Sequence, residues 1–294
     1  MNIRAIIMGL AFAFMWSSAF TSARVIVAYA PPMSALSLRF FISGALAVII
    51  ALFMGQSFRL TRGQWFATIL FGICQNGVYL GLNFIAMQTI EASLAAIIAS
   101  TMPLLVALAG WMVFREKLNK MAIAGLVIGI LGVAVIMGAR LQGGVDLFGL
   151  MLCVIGAIAL TIATLAVRGA SSGGNVMMVV GLQMLVGSLC LGLVGFTTED
   201  LTVNWTWQLG VAFAYTTLIP GLAATLVWFT LVNQIGMVKA STFHFLTPFF
   251  GVAVAAVLLG ESLGVRDVIG VFIIMLGILA VQLSKQSPRL RDTA

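Results

Sequence analysis

Three polar side chains recur at helical spacing within an otherwise apolar stretch of the chain. Asn76, Tyr79 and Asn83 are three and four residues apart, which places them on one face of a helix. Polar groups that face lipid without a partner cost several kcal/mol, so this face must meet protein or solute. Amides and a phenol bind an ammonium or a carboxylate, and we predict that the three line a substrate site. The alternative is that they bond neighbouring helices, at about 0.6–2 kcal/mol each.

Prolines interrupt three of the apolar stretches, and hydroxyl or imidazole groups precede two of them. The prolines are Pro103, Pro220 and Pro248. A proline removes one helical hydrogen bond and frees a carbonyl, which inside a membrane needs protein or water as a partner. We predict that the prolines act as hinges and that Ser100, Thr242 and His244 bind substrate. The alternatives are static kinks satisfied by neighbouring hydroxyls, and a neutral His244 bonded to a carbonyl.

Two tryptophans lie deep within their apolar stretches, whereas the other four lie near stretch ends. Together with Tyr79, Trp16 and Trp228 are predicted to form an aromatic surface for a substrate ammonium or an apolar side chain. The alternative is that these rings anchor their helices at the membrane interface, as Trp and Tyr often do.

Groups that support catalysis or bind metals are scarce in the sequence. The only histidine is His244, the three cysteines lack metal-ligand spacing, and no carboxylate lies in the middle of an apolar stretch. We expect no catalytic residues, no metal and no cofactor. Proton antiporters usually carry a buried carboxylate, so the sequence favours an uncoupled facilitator over a proton-coupled exporter of another small metabolite or drug. A membrane scaffold or an intramembrane enzyme is the alternative of a different class.

The composition requires a membrane. Of the 294 residues, 62% are hydrophobic and 8% are charged, with a mean hydropathy of +1.17. Soluble domains are about 25% charged, so a water-soluble enzyme is excluded. The net charge of +7 is spread between the apolar stretches rather than clustered on one face. The lipid bilayer is therefore an expected partner, and a nucleic acid is not.

Ten apolar stretches reach the length of roughly 20 residues that a spanning helix needs. They cover 5–28, 34–54, 63–86, 91–113, 119–138, 147–168, 174–195, 205–232, 238–260 and 264–284. If the loops alternate between the two sides, one side receives 11 of the 15 basic residues and the other receives Arg24, Arg39, Arg140 and Arg266. The positive-inside rule then predicts that both termini are cytoplasmic. The first stretch is too long for a signal peptide, and we expect it to remain as a helix.

Landmark residues recur with an offset of 145 positions. Pro103 and Pro248 are related by this offset, as are Glu116 and Glu261. Two glycine pairs share it: Gly125 with Gly270, and Gly132 with Gly277. Each half of the chain thus holds five spans, and an odd number inverts the second half relative to the first, as in secondary transporters. Glu116 and Glu261 precede the fifth and tenth spans and are predicted to cap their first turns.

These landmarks resemble the EamA repeat of the drug/metabolite transporter superfamily. The first copy comprises the proline of the fourth span, Arg115-Glu116-Lys117-Leu118 and the glycines of the fifth span; the second comprises Thr247-Pro248, Gly260-Glu261-Ser262-Leu263, Gly270 and Gly277. The whole chain is similar to the YddG-type amino-acid exporters of bacterial inner membranes. The resemblance implies a cavity lined by the third, fourth, eighth and ninth spans, with the fifth and tenth as peripheral packing or dimerising elements.

We therefore predict an all-α integral membrane protein of ten helices in two inverted five-helix repeats, 1–140 and 141–294. The expected function is export of small zwitterionic metabolites across the bacterial inner membrane by alternating access. Amino acids, including aromatic and other neutral ones, are the expected substrates. A homodimer is left open.

Overall fold

The computed structural model describes residues 2–166 and 174–285. Within these two stretches, ten helices are long and apolar enough to cross a bilayer and no strand is present, which confirms the predicted all-α membrane fold. In chain order they are α1 Ile3–Tyr29, α2 Pro32–Phe53, α3 Arg62–Ala86, α4 Ala92–Phe114, α5 Lys120–Gln142, α6 Leu147–Ala166, α7 Val176–Thr198, α8 Trp207–Ile235, α9 Lys239–Leu259 and α10 Val265–Ser284. The predicted end of the sixth stretch lies outside the described residues, as do Arg168, Arg289 and Arg291.

Where the structure describes them, the connections between successive helices are short. Helices joined by short connections cross in opposite directions, so these connections alternate between the two ends of the bundle. We call the end at which α1 begins the near face and the opposite end the far face. The near face is the one predicted to be cytoplasmic, because it carries most of the basic residues.

Local sequence signals fix several helix ends. Thr61 and Gln64 form a capping box at the start of α3, since each side chain accepts a hydrogen bond from the other's backbone N–H. Pro32 occupies the first position of α2, where its missing N–H costs nothing. Arg115 (φ 53°) ends α4 and Gly260 (φ 68°) ends α9, both in the left-handed conformation. These two terminators are 145 residues apart, so the sequence repeat extends to backbone geometry.

Two helix pairs contact each other most extensively, α5 with α10 and α2 with α7. Glycines allow the first pair to approach closely: a Cβ at Gly277 would lie 2.5 Å from the backbone nitrogen of Gly129, and one at Gly132 would lie 2.8 Å from that of Ile274. The helices implied to be packing or dimerising elements therefore pack on each other within the chain.

Helices α4 and α9 are both interrupted within their length. In α4 the break falls at Thr101, and in α9 the segment Thr242–Leu246 forms a 3-10 turn before Pro248. Their far halves pack together so closely that a Cβ at Gly251 would lie 2.5 Å from the Cβ of Ala96. Their near halves share α10 as a neighbour but otherwise pack on different helices. The near half of α4 packs on α5 and α6, and the near half of α9 packs on α1 and α8. The two helices thus meet at the far face and separate toward the near face.

The middles of α3 and α8 are wound as π-helix rather than α-helix. The π segments are Gly72–Tyr79 in α3 and Ile219–Ala223 in α8. Such segments change the direction of the side chains around them and occur frequently at functional sites.

Candidate functional site

Four aromatic rings from three helices meet in the near half of the bundle. The ring centroid of Phe12 lies 5.8 Å from Trp16, 4.7 Å from Trp228 and 5.3 Å from His244. His244 also lies 6.4 Å from Trp16 and 5.2 Å from Trp228. We call these four residues the aromatic cluster. The structure thus brings together three of the predicted substrate-binding residues, Trp16, Trp228 and His244.

Helical spacing and a small residue assemble the aromatic cluster. Phe12 and Trp16 are four residues apart on α1 and therefore share a face. Gly9 lies one turn earlier and has no side chain to obstruct the ring of Phe243, so α9 approaches α1 there. His244 belongs to the 3-10 turn, and Pro248 frees its carbonyl, which accepts from the N–H of Thr247 instead.

The chemistry of the aromatic cluster suits a small solute with a positive or apolar part. Trp16, Trp228 and His244 are half-buried, whereas Phe12 is fully buried. Indole faces attract an ammonium through their quadrupole and also accept apolar side chains. Phe12 was missed in the sequence because one more Phe in an apolar stretch is unremarkable, although its spacing from Trp16 was a usable signal.

The polar residues of α3 lie elsewhere, buried against α6 and α7. The amide nitrogen of Asn83 donates to the carbonyl of Tyr79 at 2.8 Å, and its oxygen accepts from the Cys153 thiol at 3.4 Å. A Cβ at Gly156 would lie 2.8 Å from that amide nitrogen, and Asn76 packs directly against Gly187. The bond to Tyr79 lies within α3, whereas the Cys153 bond and the contacts with the two glycines join α3 to α6 and α7, in line with the predicted alternative of helix packing. A substrate role for Asn76, Tyr79 and Asn83 stays a prediction.

The hydroxyls beside the breaks form local bonds. Ser100 donates to the carbonyl of Ile97 at 2.6 Å, and Thr242 donates to that of Lys239 at 2.6 Å. Both bonds satisfy backbone carbonyls in a distorted turn. The structure therefore joins neither hydroxyl to the aromatic cluster, and their binding role also stays a prediction.

A buried arginine lies beside the proline break of α8. Arg39 was counted from sequence among the charges of one membrane side, yet it lies inside α2 and is 6% exposed. Its Nε donates at 3.2 Å to the carbonyl of Thr216, the residue whose helical partner Pro220 cannot provide an N–H. The sequence did contain a signal, because a charge well inside a spanning stretch is a functional candidate.

Carboxylates tie helix starts together at the far face. Glu261 accepts from the backbone N–H groups of Ala92 at 2.7 Å and Ser93 at 3.0 Å, and so caps α4 rather than the expected α10. The start of α10 is capped by Asp267, which accepts from the N–H of Gly264 at 3.0 Å. At the near face, Glu116 lies against Gly110 of α4, the helix before it.

An ion-paired arginine joins the starts of α4 and α10 to the end of α5. Arg140 pairs with Glu91 at 2.5 Å and with Asp267 at 3.1 Å. Glu91 precedes α4 and Asp267 lies in the first turn of α10. The far ends of α4, α5 and α10 are therefore held together by charge as well as by packing.

Two cavities lie at opposite faces of the bundle. One of about 480 Å³ opens at the far face between the end of α1 and the connection before α8, and is lined in part by Tyr29, Asp200 and Asn204. One of about 490 Å³ opens at the near face beside Trp111 and Lys117. The predicted binding residues line neither of these two cavities.

Comparisons with known proteins agree with this architecture. The sequence pattern of the EamA-like transporter family matches residues 3–138 and 147–283. The chain is 27% identical over 276 residues to an uncharacterized transporter, YvbV, of Bacillus subtilis, covering 94% of this chain and 90% of the relative. It is 24% identical to the uncharacterized inner membrane transporter YedA of Escherichia coli K12, covering 92% and 88% of the two chains.

A solved structure has the same fold. It superimposes with a TM-score of 0.70 at 18% sequence identity, covering 97% of this chain and 99% of the other. The identity is too low to carry more than the fold. Because the family pattern matches two consecutive stretches that together span most of its length, the chain belongs to the EamA-like transporter family and is a multi-pass membrane transporter.

Proposed function

We propose that this transporter exports small zwitterionic solutes, amino acids above all, by alternating access and without a coupling ion. The observation that carries the proposal is the aromatic cluster, in which rings from α1, α8 and α9 meet beside the breaks of α8 and α9. Its indole faces attract an ammonium, and its apolar edges accept a neutral or aromatic side chain.

Alternating access is supported by the unequal packing of the two ends. The far halves of α4 and α9 are packed together and the far ends of α4, α5 and α10 are joined by ion pairs, whereas the near halves of α4 and α9 pack mainly on other helices. A carrier that is closed on one side has this asymmetry. The inverted repeat supplies the opposite state, since each half can adopt the conformation of the other.

Uncoupled transport is supported by the distribution of acidic residues in the sequence. Glu91 and Asp267 lie at the far ends of their helices and are paired with Arg140. A proton relay requires a titratable group inside the transport path. His244 is the one candidate in the aromatic cluster, and its contacts with three rings favour a packing role.

The test is counterflow in liposomes that contain the purified protein. Liposomes loaded with one unlabelled amino acid should take up the labelled amino acid from outside without an added gradient. A panel of amino acids as competitors then ranks the substrates. Failure of every amino acid to exchange would overturn the proposal.

A second arm tests the coupling. A pH gradient imposed on empty liposomes should not drive accumulation of the labelled solute against its own gradient. Uphill movement would replace the facilitator with a proton-coupled exporter, and the His244→Gln variant would then show whether His244 carries the proton.

A further inference from the structure

Arg39 places a positive charge inside the membrane-spanning region. It lies seven residues beyond the start of α2, which is about 10 Å along the helix axis, and it is 6% exposed. A charged side chain at this depth is expensive, and spanning helices keep one only where it has a partner or a function.

The guanidinium of Arg39 is only partly satisfied. It donates one hydrogen bond, from Nε to the carbonyl of Thr216, and its Cζ lies 5.0 Å from the ring centroid of Phe40. An arginine has five N–H donors, so four have no hydrogen-bond acceptor among residues 2–166 and 174–285. Both ion pairs among the described residues belong to Arg140, so no carboxylate of residues 2–166 or 174–285 neutralises Arg39.

The surroundings hold α2 firmly against the break in α8. One turn after Arg39, the hydroxyl of Ser43 donates at 3.2 Å to the carbonyl of Thr217. Gly221 permits this contact, because a Cβ there would lie 3.1 Å from the Ser43 Oγ and 3.2 Å from the Thr216 oxygen. Ser43 supplies a neutral contact between the same two helices, so the packing of α2 on α8 does not by itself require a charge.

We propose that Arg39 is the anion-binding residue of the transport path and that its Nη groups receive the carboxylate of the transported solute. The inference rests on the proposed function and deepens it. A guanidinium matches a carboxylate with two parallel hydrogen bonds. The guanidinium and the carboxylate form a neutral pair, and the ammonium of the zwitterion lies outside that pair.

The carboxylate site and the aromatic cluster are successive positions on α8. Thr216 and Trp228 are twelve residues apart, which corresponds to about 18 Å along a helix. A small amino acid cannot reach both at once. Arg39 therefore recognises the solute on the far side of the Pro220 break, and the aromatic cluster recognises it on the near side.

The experiment compares solutes that differ only in their carboxylate. Flux into liposomes is measured for an amino acid and for the amine that carries the same side chain without the carboxylate. Wild-type protein should prefer the acid. In Arg39→Gln the KM of the acid should rise at least about tenfold, because a hydrogen-bonded charge pair is lost, while that of the amine stays within about twofold. Equal losses for both solutes, or a wild type without preference, would overturn the proposal.

Two variants separate recognition from folding. Ser43→Ala removes the neighbouring contact between α2 and α8 without touching the charge, and it should leave the ratio of acid to amine unchanged. Arg39→Lys keeps the charge but loses the planar fork, so it should raise the KM of the acid alone. If Arg39→Gln does not reach the membrane, Arg39→Lys decides the question, and an equal effect on acid and amine would contradict the proposal.

A binding measurement makes this inference separable from the proposed function. A simple monocarboxylate such as propionate should raise the melting temperature of the purified wild type and not that of Arg39→Lys. If amino acids fail to exchange but this shift is seen, the proposed substrate class is wrong and the anion site stands. If amino acids exchange and the shift is the same in both proteins, the anion site is wrong and the proposed function stands.

Discussion

Helices α3 and α8 occupy equivalent positions in the two halves, yet their side chains make different kinds of contact. Asn83 and Trp228 are 145 residues apart, the offset of the repeat, and both helices contain a π segment in the middle. Asn83 is closed off by bonds and close contacts with its own helix and α6, whereas Trp228 contributes to the half-buried aromatic cluster. The two halves therefore share the backbone conformation of this helix, while the side chains at equivalent positions differ in their chemistry.

The neighbouring helices repeat this difference. On the same offset, Phe12 of α1 corresponds to Ala157 of α6, next to Gly156. The ring of Phe12 packs on Trp228, whereas at the equivalent place beside α3 the missing side chain of Gly156 leaves room for Asn83. We infer that the α3–α6–α7 region serves as a rigid support, while the α1–α8–α9 region meets the solute.

The largest effect is expected from filling the space beside Asn83. Gly156→Val should destabilise the protein by about 3 kcal/mol, because its Cβ would lie 2.8 Å from the Asn83 amide and 3.2 Å from the Tyr79 carbonyl. Thermal unfolding in detergent measures this loss. Gly138→Val is the matched control, since no atom lies within 4 Å of a Cβ at that helical glycine. Equal melting of the two variants would contradict a tightly packed support.

A substitution in the aromatic cluster should reduce the rate of transport and not only the stability of the protein. Trp228→Ala should lower kcat/KM for amino-acid exchange about 30-fold, equivalent to about 2 kcal/mol, because a ring that attracts the solute is lost. Trp207→Ala, on the same helix but 74% exposed, should leave exchange unchanged. A loss of similar size in both variants would mean that the aromatic residues act only as membrane anchors.

Asn83→Ala distinguishes the two interpretations of the polar residues on α3. Removal of its bonds to Tyr79 and Cys153 should cost about 1 kcal/mol of stability and leave the KM unchanged. Melting curves and exchange kinetics on the same preparation give both quantities. A raised KM at unaltered stability would support the substrate role predicted from sequence. Helices α3 and α8 would then both contact the solute.

The smallest effect is expected at the proline breaks. Pro248→Ala should restore an N–H that can bond the carbonyl of His244, stiffen α9 and lower the exchange rate about threefold with the KM unchanged. Pro103→Ala should act similarly on α4. Pro32→Ala is the control, because a proline at the first position of a helix removes no bond. Unchanged exchange rates in the first two variants would show that these breaks are static.

The sequence predicted the ten helices because a chain in lipid can adopt few backbone conformations. A backbone in hydrocarbon must satisfy its own hydrogen bonds, so every apolar stretch of sufficient length becomes a helix. The offset of 145 residues likewise required no coordinates, and it reappears in the matching terminators Arg115 and Gly260. Spacing also identified side chains that share a helix face, as Asn76, Tyr79 and Asn83 do on α3.

Only the tertiary structure decided which neighbour each face meets. Helical spacing placed Asn76, Tyr79 and Asn83 on one side of α3 but carried no information on whether that side faces a cavity or α6 and α7. Glu261 crosses to α4 instead of capping the helix that follows it. Arg39 meets a carbonyl that Pro220, 181 residues later, leaves without its helical partner. Such contacts join residues far apart in the chain, and local periodicity does not encode them.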